Sequence, residues 1–303
     1  MKSTTRWSRA DASFWHHVRI LSEHLGYSRR RTVLRHSHRD ILDALRTLNL
    51  NYSTSDALIY DLVDYFNFRA NLIENEIANY LQDSDQARLL FDEVAARYTS
   101  GYTSQIKHGS ETSRIYNVIE GVPTIAPFNK QKGNKRDIDF LTATSNILIS
   151  HYLQGDSFDA DPRKLPVFTD GRTITSSMSR RMDGAYPHCT NPIALWEFKC
   201  YYYTTTFGSK ISDAVYIADL DGYERYSTKA ATGSSVHLSL FIDAYSTWMQ
   251  QGKSYLCRII DLLQRGAIDE LIVGSEVTTA IPEMVEEWRT TETFNSNAID
   301  FRL

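Results

Sequence analysis

Apolar residues recur at the three- and four-residue spacing of amphipathic helices over about the first hundred residues. This spacing predicts five helices, at 12–25, 40–48, 55–66, 70–81 and 85–98. Gly26 and the Asn49-Leu50-Asn51 stretch supply the stops expected between helices. The pattern therefore predicts a helical N-terminal region, residues 1–115, with a possible role in DNA binding.

The pattern changes beyond this region. Residues 99–135 are rich in Gly, Ser, Thr and Lys with few apolar runs, which is typical of a connection or surface loop. A further helix is expected at 137–153. Runs of β-branched and apolar residues predict strands at 193–203, 236–243 and 268–273, with helices at 208–222, 247–265 and, started by Pro282, 282–288. We therefore expect residues 116–303 to form an α/β domain.

Composition and charge limit the class of protein. A chain of 303 residues with 42% hydrophobic content can bury the core of one large or two small domains. Its three cysteines are odd in number and lack metal-ligand spacing, which predicts reduced thiols in a cytoplasmic protein. No apolar run has the length of a membrane span, and the first residues lack the hydrophobic segment of a signal peptide. The net charge of −4 neither requires nor excludes a polyanionic partner.

The chemistry of the chain centres on Asp183-Gly184 and on the Glu197-Phe198-Lys199 triplet that follows it. Successive side chains on a strand alternate between its faces, so Glu197 and Lys199 lie on one face and Phe198 on the other. If 175–186 pairs antiparallel with this strand, Asp183 comes within a metal's reach of Glu197. Ordinary solvated strand charge is the alternative, but charges inside so apolar a strand are costly unless they are paired or bind a cation.

Asp183, Glu197 and Lys199 resemble the catalytic triplet of the PD-(D/E)XK nucleases, and the flanking sequence resembles the type II restriction endonucleases. The resemblance covers roughly residues 171–288 and departs from the family at Met182, where a proline is usual. It implies a restriction-endonuclease-like mixed β-sheet flanked by helices. It also implies that Mg²⁺, with Mn²⁺ as substitute, is held by Asp183, Glu197 and the carbonyl of Phe198, while Lys199 orients or deprotonates the attacking water.

By the same resemblance, the expected protein is a homodimer that cuts both strands of double-stranded DNA at a specific site, alongside a cognate DNA methyltransferase with which no stable complex is implied. Two alternatives stay open. One is a nuclease of the same type in a repair, mobile-element or phage-defence system. The other is a non-catalytic DNA-binding protein that keeps the fold.

Several other charged residues are candidates for substrate contact. Arg29, Arg30 and Arg31 open a basic stretch that has no acidic residue before Asp40, and phosphate contact is weighed there against a solvated face. A second basic cluster, with the same alternative, consists of Lys130, Lys132, Lys135 and Arg136.

Lys210 is expected at a helix N-terminus, where backbone amides favour phosphate, with a plain cap as the alternative. Glu74 is the candidate for an additional acid from an early helix, although a solvated helix face explains it more simply. The acidic cluster of Asp219, Asp221 and Glu224 is attributed to a helix end stopped by Gly222.

Overall fold

A four-stranded mixed β-sheet with helices on both faces forms the centre of the molecule. The computed structural model describes the backbone of residues 1–107, 110–119, 122–126, 138–202 and 208–300, and the side chains of these residues except 102–126, 209 and 292–300. Within this part of the chain, no helix is both long and apolar enough to cross a membrane.

Helices dominate the N-terminal part of the chain, and strands and helices are mixed beyond it. In order, the described helices are Thr5–Ser8 (α1), Ala12–Leu25 (α2), His38–Thr47 (α3), Ala57–Asn71 (α4), Ala78–Tyr80 (α5), Ser84–Tyr98 (α6), Phe140–Tyr152 (α7), Ser209–Thr232 (α8), Lys253–Gln264 (α9) and Val277–Asp300 (α10). Two π-helical segments, Leu72–Ile77 and Ser246–Gln251, lead into α5 and precede α9, and a 3₁₀ turn, Gly274–Glu276, precedes α10.

The described strands are Ser28–Arg29 (β1), Thr32–Val33 (β2), Tyr102–Lys107 (β3), Ser110–Ile119 (β4), Val122–Ala126 (β5), Val167–Thr169 (β6), Ile174–Ser177 (β7), Gly184–Tyr186 (β8), Ala194–Lys199 (β9), His237–Ile242 (β10) and Glu270–Val273 (β11). They form the hairpins β1-β2 and β6-β7, the antiparallel sheet β3-β4-β5, and the central sheet in the order β11-β10-β9-β8.

The central sheet combines one antiparallel pair with two parallel pairs. β8 runs antiparallel to β9, while β10 runs parallel to both β9 and β11. Parallel neighbours need a crossover connection, and α8 and α9 supply it between β9 and β10 and between β10 and β11. The carboxyl ends of β9 and β10 therefore meet at one edge, where Lys199 stands opposite Ile242.

Each face of the sheet has its own buried core. On one face, Leu195 and Leu240 pack with residues of α8, α9 and the segment 70–81. On the other, Trp196 and Phe241 pack with residues of α6, α7 and α10. A third core, which includes Trp7, lies among α1 to α4.

Side-chain caps set several helix starts, as short polar residues do when they accept the unsatisfied amides of the first turn. Asp11, Asp56 and Asp139 accept from the amides of Phe14, Leu58 and Thr142 at the starts of α2, α4 and α7. Ser37 with Asp40, and Asp83 with Gln86, form reciprocal capping boxes at α3 and α6.

The loop predicted at 99–135 is wrong over most of its length, because β3, β4 and β5 lie there. These strands are rich in Thr, Ile, Val and Tyr, which favour a pleated sheet, and their Ser and Thr content was mistaken for a loop signal. The second basic cluster, Lys130 to Arg136, lies outside the described residues. The antiparallel pairing predicted for 175–186 holds only for β8, because β7 pairs with β6.

Several helix boundaries also differ from the predictions. The helices predicted at 55–66 and 70–81 are not separated at 67–69, because α4 continues to Asn71 and leads into the π-helical segment 72–77. α8 continues ten residues past Gly222, to Thr232. A Cβ at Gly222 would lie 2.6 Å from the carbonyl oxygen of Ala267, so this glycine permits close packing and does not end the helix. Pro282 lies inside α10, which begins at Val277, and the helix predicted at 247–265 is divided into a π-helical segment and α9 at Gly252.

Candidate active site between strands β8 and β9

The turn into β8 places Asp183 beside the centre of β9. The Asp183 amide donates to the carbonyl of Trp196 at 3.0 Å, and its Oδ2 accepts from the amide of Phe198 at 2.8 Å. Gly184 allows this approach, since a Cβ there would lie 1.9 Å from the Trp196 ring. The carboxylate of Asp183 is therefore fixed against the strand that carries the Glu-x-Lys triplet.

Glu197 and Lys199 share the opposite face of β9 from Trp196 and Phe198, as strand alternation predicts. Lys199 Nζ donates to Glu197 Oε1 at 2.8 Å, although Lys199 is only 8% exposed. A buried ammonium needs a counter-charge. The predicted convergence of this pair is thus confirmed at the level of geometry.

A second cation, Arg180, completes the contacts of Glu197. Its Nη1 donates to Glu197 Oε2 at 3.0 Å, and its Nε and Nη2 donate to the two oxygens of Asp221 at 2.7 and 2.5 Å. Asp221, on α8, is 2% exposed. Arg180 was not predicted, because no motif in the sequence marks it, and Asp221 was attributed to a helix end stopped by Gly222.

The other members of that acidic cluster are paired separately. Asp219 forms an ion pair with Arg265, and Glu224 accepts from the amide of Ser179 at 3.0 Å. Because α8 does not end at Gly222, the explanation by a helix end is wrong. The three carboxylates face different partners and do not converge on one point.

A cavity of about 350 Å³ opens beside the triplet. Asp183, Phe198 and Lys199 line it from the sheet, and Lys210 and Asp213 line it from the first turns of α8. Lys210 therefore lies near a helix N-terminus as predicted, and on the wall of the same cavity as Lys199. Its contact with phosphate stays a prediction.

Asp139, like Asp213, is a carboxylate on this cavity that was not predicted from the sequence. It caps α7, the helix that precedes the sheet, and lines the cavity together with Thr142 and Cys200. The N-cap pattern of Asp139 before an apolar run was visible in the sequence, but a cap alone does not indicate that its carboxylate faces a site. Among the described residues, Asp139, and not Glu74, is the acid brought to this cavity by a helix that precedes the central sheet in the chain.

The cavity and its surroundings carry a surplus of negative charge. Among the residues that the structure describes on the cavity wall and in the ion pairs beside it, five are carboxylates and three are cationic: Asp139, Asp183, Glu197, Asp213 and Asp221, with Arg180, Lys199 and Lys210. Burial raises the pKa of Glu197, and the charge of Asp183 raises it further, against the opposing effect of Lys199 and Arg180. A cation bound between these two carboxylates would relieve their repulsion.

A further buried acid stands behind the cavity. Asp243 Oδ2 accepts from the amides of Tyr201 and Tyr202 at 2.6 and 3.3 Å, and Oδ1 accepts from the amide of Ala244 at 2.5 Å. Burial raises the pKa of Asp243 to about 8, with the charge of Asp139 as a second cause. Asp243 therefore fixes the end of β9 to the end of β10, largely as the neutral acid at neutral pH.

The donor set is small for a metal site. Among the described residues, no group of three or more His, Cys, Asp and Glu side chains is placed to hold a metal ion. The set expected from sequence has two carboxylates and the Phe198 carbonyl. Mg²⁺ is commonly bound through one or two carboxylates, with waters and substrate phosphates as its remaining ligands. Oxygen donors and surplus negative charge suit such a hard cation, whose binding here stays a prediction.

The basic stretch forms a hairpin apart from this cavity. Arg29, Arg30 and Arg31 are exposed at the end of β1 and in the turn to β2. Glu74 contacts this hairpin: it accepts from the Val33 amide at 2.8 Å and pairs with Arg35 at 3.2 Å. Glu74 is not among the residues that line the cavity, so the structure gives it a role in holding the hairpin.

Comparison with known families assigns the chain by its sequence. The model of a domain of unknown function, DUF7687, matches residues 82–288, which is more than half of the chain. The chain belongs to the DUF7687 family. A second domain of unknown function, DUF7690, matches residues 1–76. No curated protein and no solved structure matches the chain. The DUF7687 region contains the whole central sheet and every residue of the candidate active site, whereas the basic hairpin lies in the DUF7690 region.

Proposed function

We propose that the chain is a Mg²⁺-dependent DNA endonuclease of the PD-(D/E)XK type, most specifically a type II site-specific restriction endonuclease that hydrolyses double-stranded DNA. One observation carries the proposal: Asp183 and Lys199 line one cavity, Lys199 donates to Glu197 beside it, and the described residues around the cavity include more carboxylates than cations. The order of hairpin, helix, strand, helix and strand from β8 to β11 supports a restriction-endonuclease-like core.

In this function Asp183, Glu197 and the carbonyl of Phe198 would hold a Mg²⁺ ion, which supplies Lewis-acid stabilisation of the charge that develops on the phosphate. Lys199, held by Glu197 at 2.8 Å, donates to the attacking water and orients it toward phosphorus. A P–O bond to the water oxygen forms as the bond to the leaving oxygen breaks; the water releases a proton to solvent, and the leaving oxygen takes up a proton from solvent. Lys210, across the cavity, neutralises a non-bridging phosphate oxygen.

Recognition of duplex DNA favours a homodimer, since two active sites related by two-fold symmetry can cut both strands of a palindrome. Arg29, Arg30 and Arg31 provide phosphate contacts outside the cavity. A restriction enzyme of this kind acts in the cytoplasm with a cognate methyltransferase that protects the host DNA. The three cysteines are all unpaired, which agrees with a reducing compartment.

Digestion of a plasmid and a phage genome by purified protein with Mg²⁺ tests the proposal. Discrete bands are the expected result. A smear indicates a non-specific nuclease of a repair, mobile-element or phage-defence system, and intact DNA that is nevertheless bound indicates a non-catalytic DNA-binding protein. Addition of EDTA should stop cleavage.

Matched variants assign the activity to this site. Asp183→Ala and Glu197→Ala should abolish cleavage and leave DNA binding in Ca²⁺ nearly unchanged, because they remove metal ligands and leave the basic hairpin intact. Asp170→Ala, an exposed turn residue, is the control purified in parallel. Cleavage at the parent rate in either site variant would contradict the assignment.

A further inference from the structure

The turn of the basic hairpin has an unusual backbone for its sequence. Ser28 pairs with Val33 and Arg29 with Thr32, so Arg30 and Arg31 form a two-residue turn. Their φ angles are 51° and 67°. Positive φ at both central residues defines the hairpin turn that strongly favours Asn-Gly, because side chains with a Cβ rarely adopt this region. Arg30 and Arg31 are therefore strained in a turn that Asn-Gly would adopt without strain.

Residues outside the hairpin, together with its buried base, hold this strained turn in place. Glu74 accepts from the Val33 amide at 2.8 Å, and Lys253 at the start of α9 donates to the carbonyl of Arg31. Val33 and Tyr27, at the base of the hairpin, are buried. Strained residues persist only where their surroundings fix them, and they are enriched in segments that clamp ligands.

The charges of this hairpin are not compensated. Arg29, Arg30 and Arg31 are exposed, and their side chains make no hydrogen bond or ion pair with any residue that the structure describes. Glu74, the carboxylate at the base, is shared between Arg35 and Lys253. Three cations thus repel one another on a short, rigid projection, which is the arrangement a polyanion would stabilise.

The hairpin packs on the catalytic side of the sheet. Tyr27 and Val33 belong to the same buried core as Leu195 and Tyr201. Leu195 lies on the face of β9 that carries Glu197, and Tyr201 also lines the cavity. The hairpin and the cavity therefore pack against the same buried core.

We propose that Arg30 and Arg31 form a preformed finger that grips the phosphate backbone of double-stranded DNA, and that the strained turn is retained because it fixes their direction before binding. The choice of DNA rests on the proposed function, whereas the grip on phosphates rests on the hairpin itself. A rigid turn avoids the ordering cost of a flexible loop. Arginine suits the role because its planar guanidinium donates two parallel hydrogen bonds to a phosphate.

The double variant Arg30→Asn/Arg31→Gly relaxes the turn and removes its two charges, so thermal stability and DNA affinity should change in opposite directions. Its thermal unfolding midpoint should rise by about 2 °C, since each of the two replacements suits the positive φ. Its affinity for a DNA duplex, measured by fluorescence anisotropy in Ca²⁺, should fall tenfold or more. The slope of log K against log salt should lessen by about 1.8, the value for two lost phosphate contacts.

Arg39→Asn/Arg46→Asn is the matched control, because it removes the same charge from α3, where both arginines pair with Asp43. The control should keep the affinity and salt slope of the parent within twofold. An unchanged affinity and slope in the hairpin variant, or an equal loss in the control, would overturn the proposal. Tighter binding of single-stranded RNA than of the DNA duplex would overturn the choice of partner.

The same assays distinguish this proposal from the nuclease proposal, because binding is measured on an Asp183→Ala background. If the parent binds duplex DNA through the hairpin but cuts nothing, the finger stands and the nuclease function fails. If the parent cuts DNA and the hairpin variant binds and cuts equally well, the nuclease function stands and the finger fails.

Discussion

Two buried networks of charge in this molecule differ in balance. In one, Arg69 is fully buried and donates from Nη1 to both oxygens of Asp261 at 3.0 Å. The guanidinium carbon of Arg69 also lies 5.0 Å from the centre of the Phe66 ring and 5.3 Å from that of the Tyr27 ring. One cation meets one carboxylate. Such a pair needs no further ligand, because its charges compensate each other and aromatic rings surround them.

The network around Glu197 is built from the same kinds of residue but is not balanced. Arg180 and Lys199 meet the carboxylates of Glu197 and Asp221. Among the described residues, the cavity wall beside them adds Asp139, Asp183 and Asp213 with one further cation, Lys210. The comparison teaches that a buried charge by itself indicates only a folded interior. The greater number of carboxylates than cations beside the cavity is the basis of the cation site proposed above.

The largest effect expected at a single pH comes from a variant that breaks the balanced network of Arg69 and Asp261. Arg69→Met should lower the free energy of unfolding by about 3–5 kcal/mol, because it leaves Asp261 buried without its cation. The double variant Arg69→Met/Asp261→Leu should recover most of this loss. Urea unfolding measures both, with Glu197→Gln, which removes charge from the surplus side, as the comparison. A loss below about 1 kcal/mol in Arg69→Met would show that the pair is not the structural element we describe.

The next effect concerns the chemistry of the unbalanced network. Lys199→Ala should slow single-turnover DNA cleavage by about 100-fold or more, on the scale of losing an acid-base or electrostatic group. Mn²⁺ affinity should stay similar or rise, since a cation that repels the metal is removed. Lys229→Ala, near the end of α8, is the control. Cleavage by Lys199→Ala at the parent rate would show that the Glu-x-Lys interpretation fails.

A further effect depends on pH and is spread over several pH units. Because the pKa of Asp243 in the folded protein is about 8, against an ordinary 3.8, the folded state binds one more proton than the unfolded state between these values. Its stabilising contribution is complete below about pH 4 and is lost as the pH rises toward 8. The expected slope is up to about 1.4 kcal/mol per pH unit.

Urea unfolding of the parent and of Asp243→Asn from pH 4 to pH 8 measures this contribution as the difference between the two curves. The exposed Asp170→Asn is the control, whose curve should follow the parent. Asp139→Asn should shift the upper end of the slope to lower pH, because the charge of Asp139 contributes to the raised pKa. Parallel curves for the parent and Asp243→Asn would contradict the assignment.

Sequence periodicity predicted the elements whose pattern is strong. The helix expected at 12–25 coincides with α2, and the alternation on β9 correctly separated Glu197 and Lys199 from Trp196 and Phe198. It failed at 99–135, where Thr-rich strands resemble loops, and at Gly222 and Pro282, where packing and helix context override local signals. Local patterns contain no information about such long-range contacts.

The residues of the candidate site that are close together in the sequence were predicted, and those brought in by tertiary packing were missed. Asp183, Glu197 and Lys199 lie within 17 residues of one another and are joined by one hairpin, so their spacing could predict their contact. Asp139, Arg180 and Asp221 reach the same place from α7, the segment before β8, and α8. Their positions depend on how the helices pack on the sheet, which no motif in this sequence specifies.

Calorimetric titration with Mn²⁺ tests most directly the claim that the surplus carboxylates form a cation site. The parent should bind Mn²⁺, Asp183→Asn and Glu197→Gln should each lose most of that binding, and Glu224→Gln, whose carboxylate contacts Ser179 outside the cavity lining, should bind as the parent does. Equal Mn²⁺ binding in the parent and both site variants, or no binding in the parent, would contradict the claim.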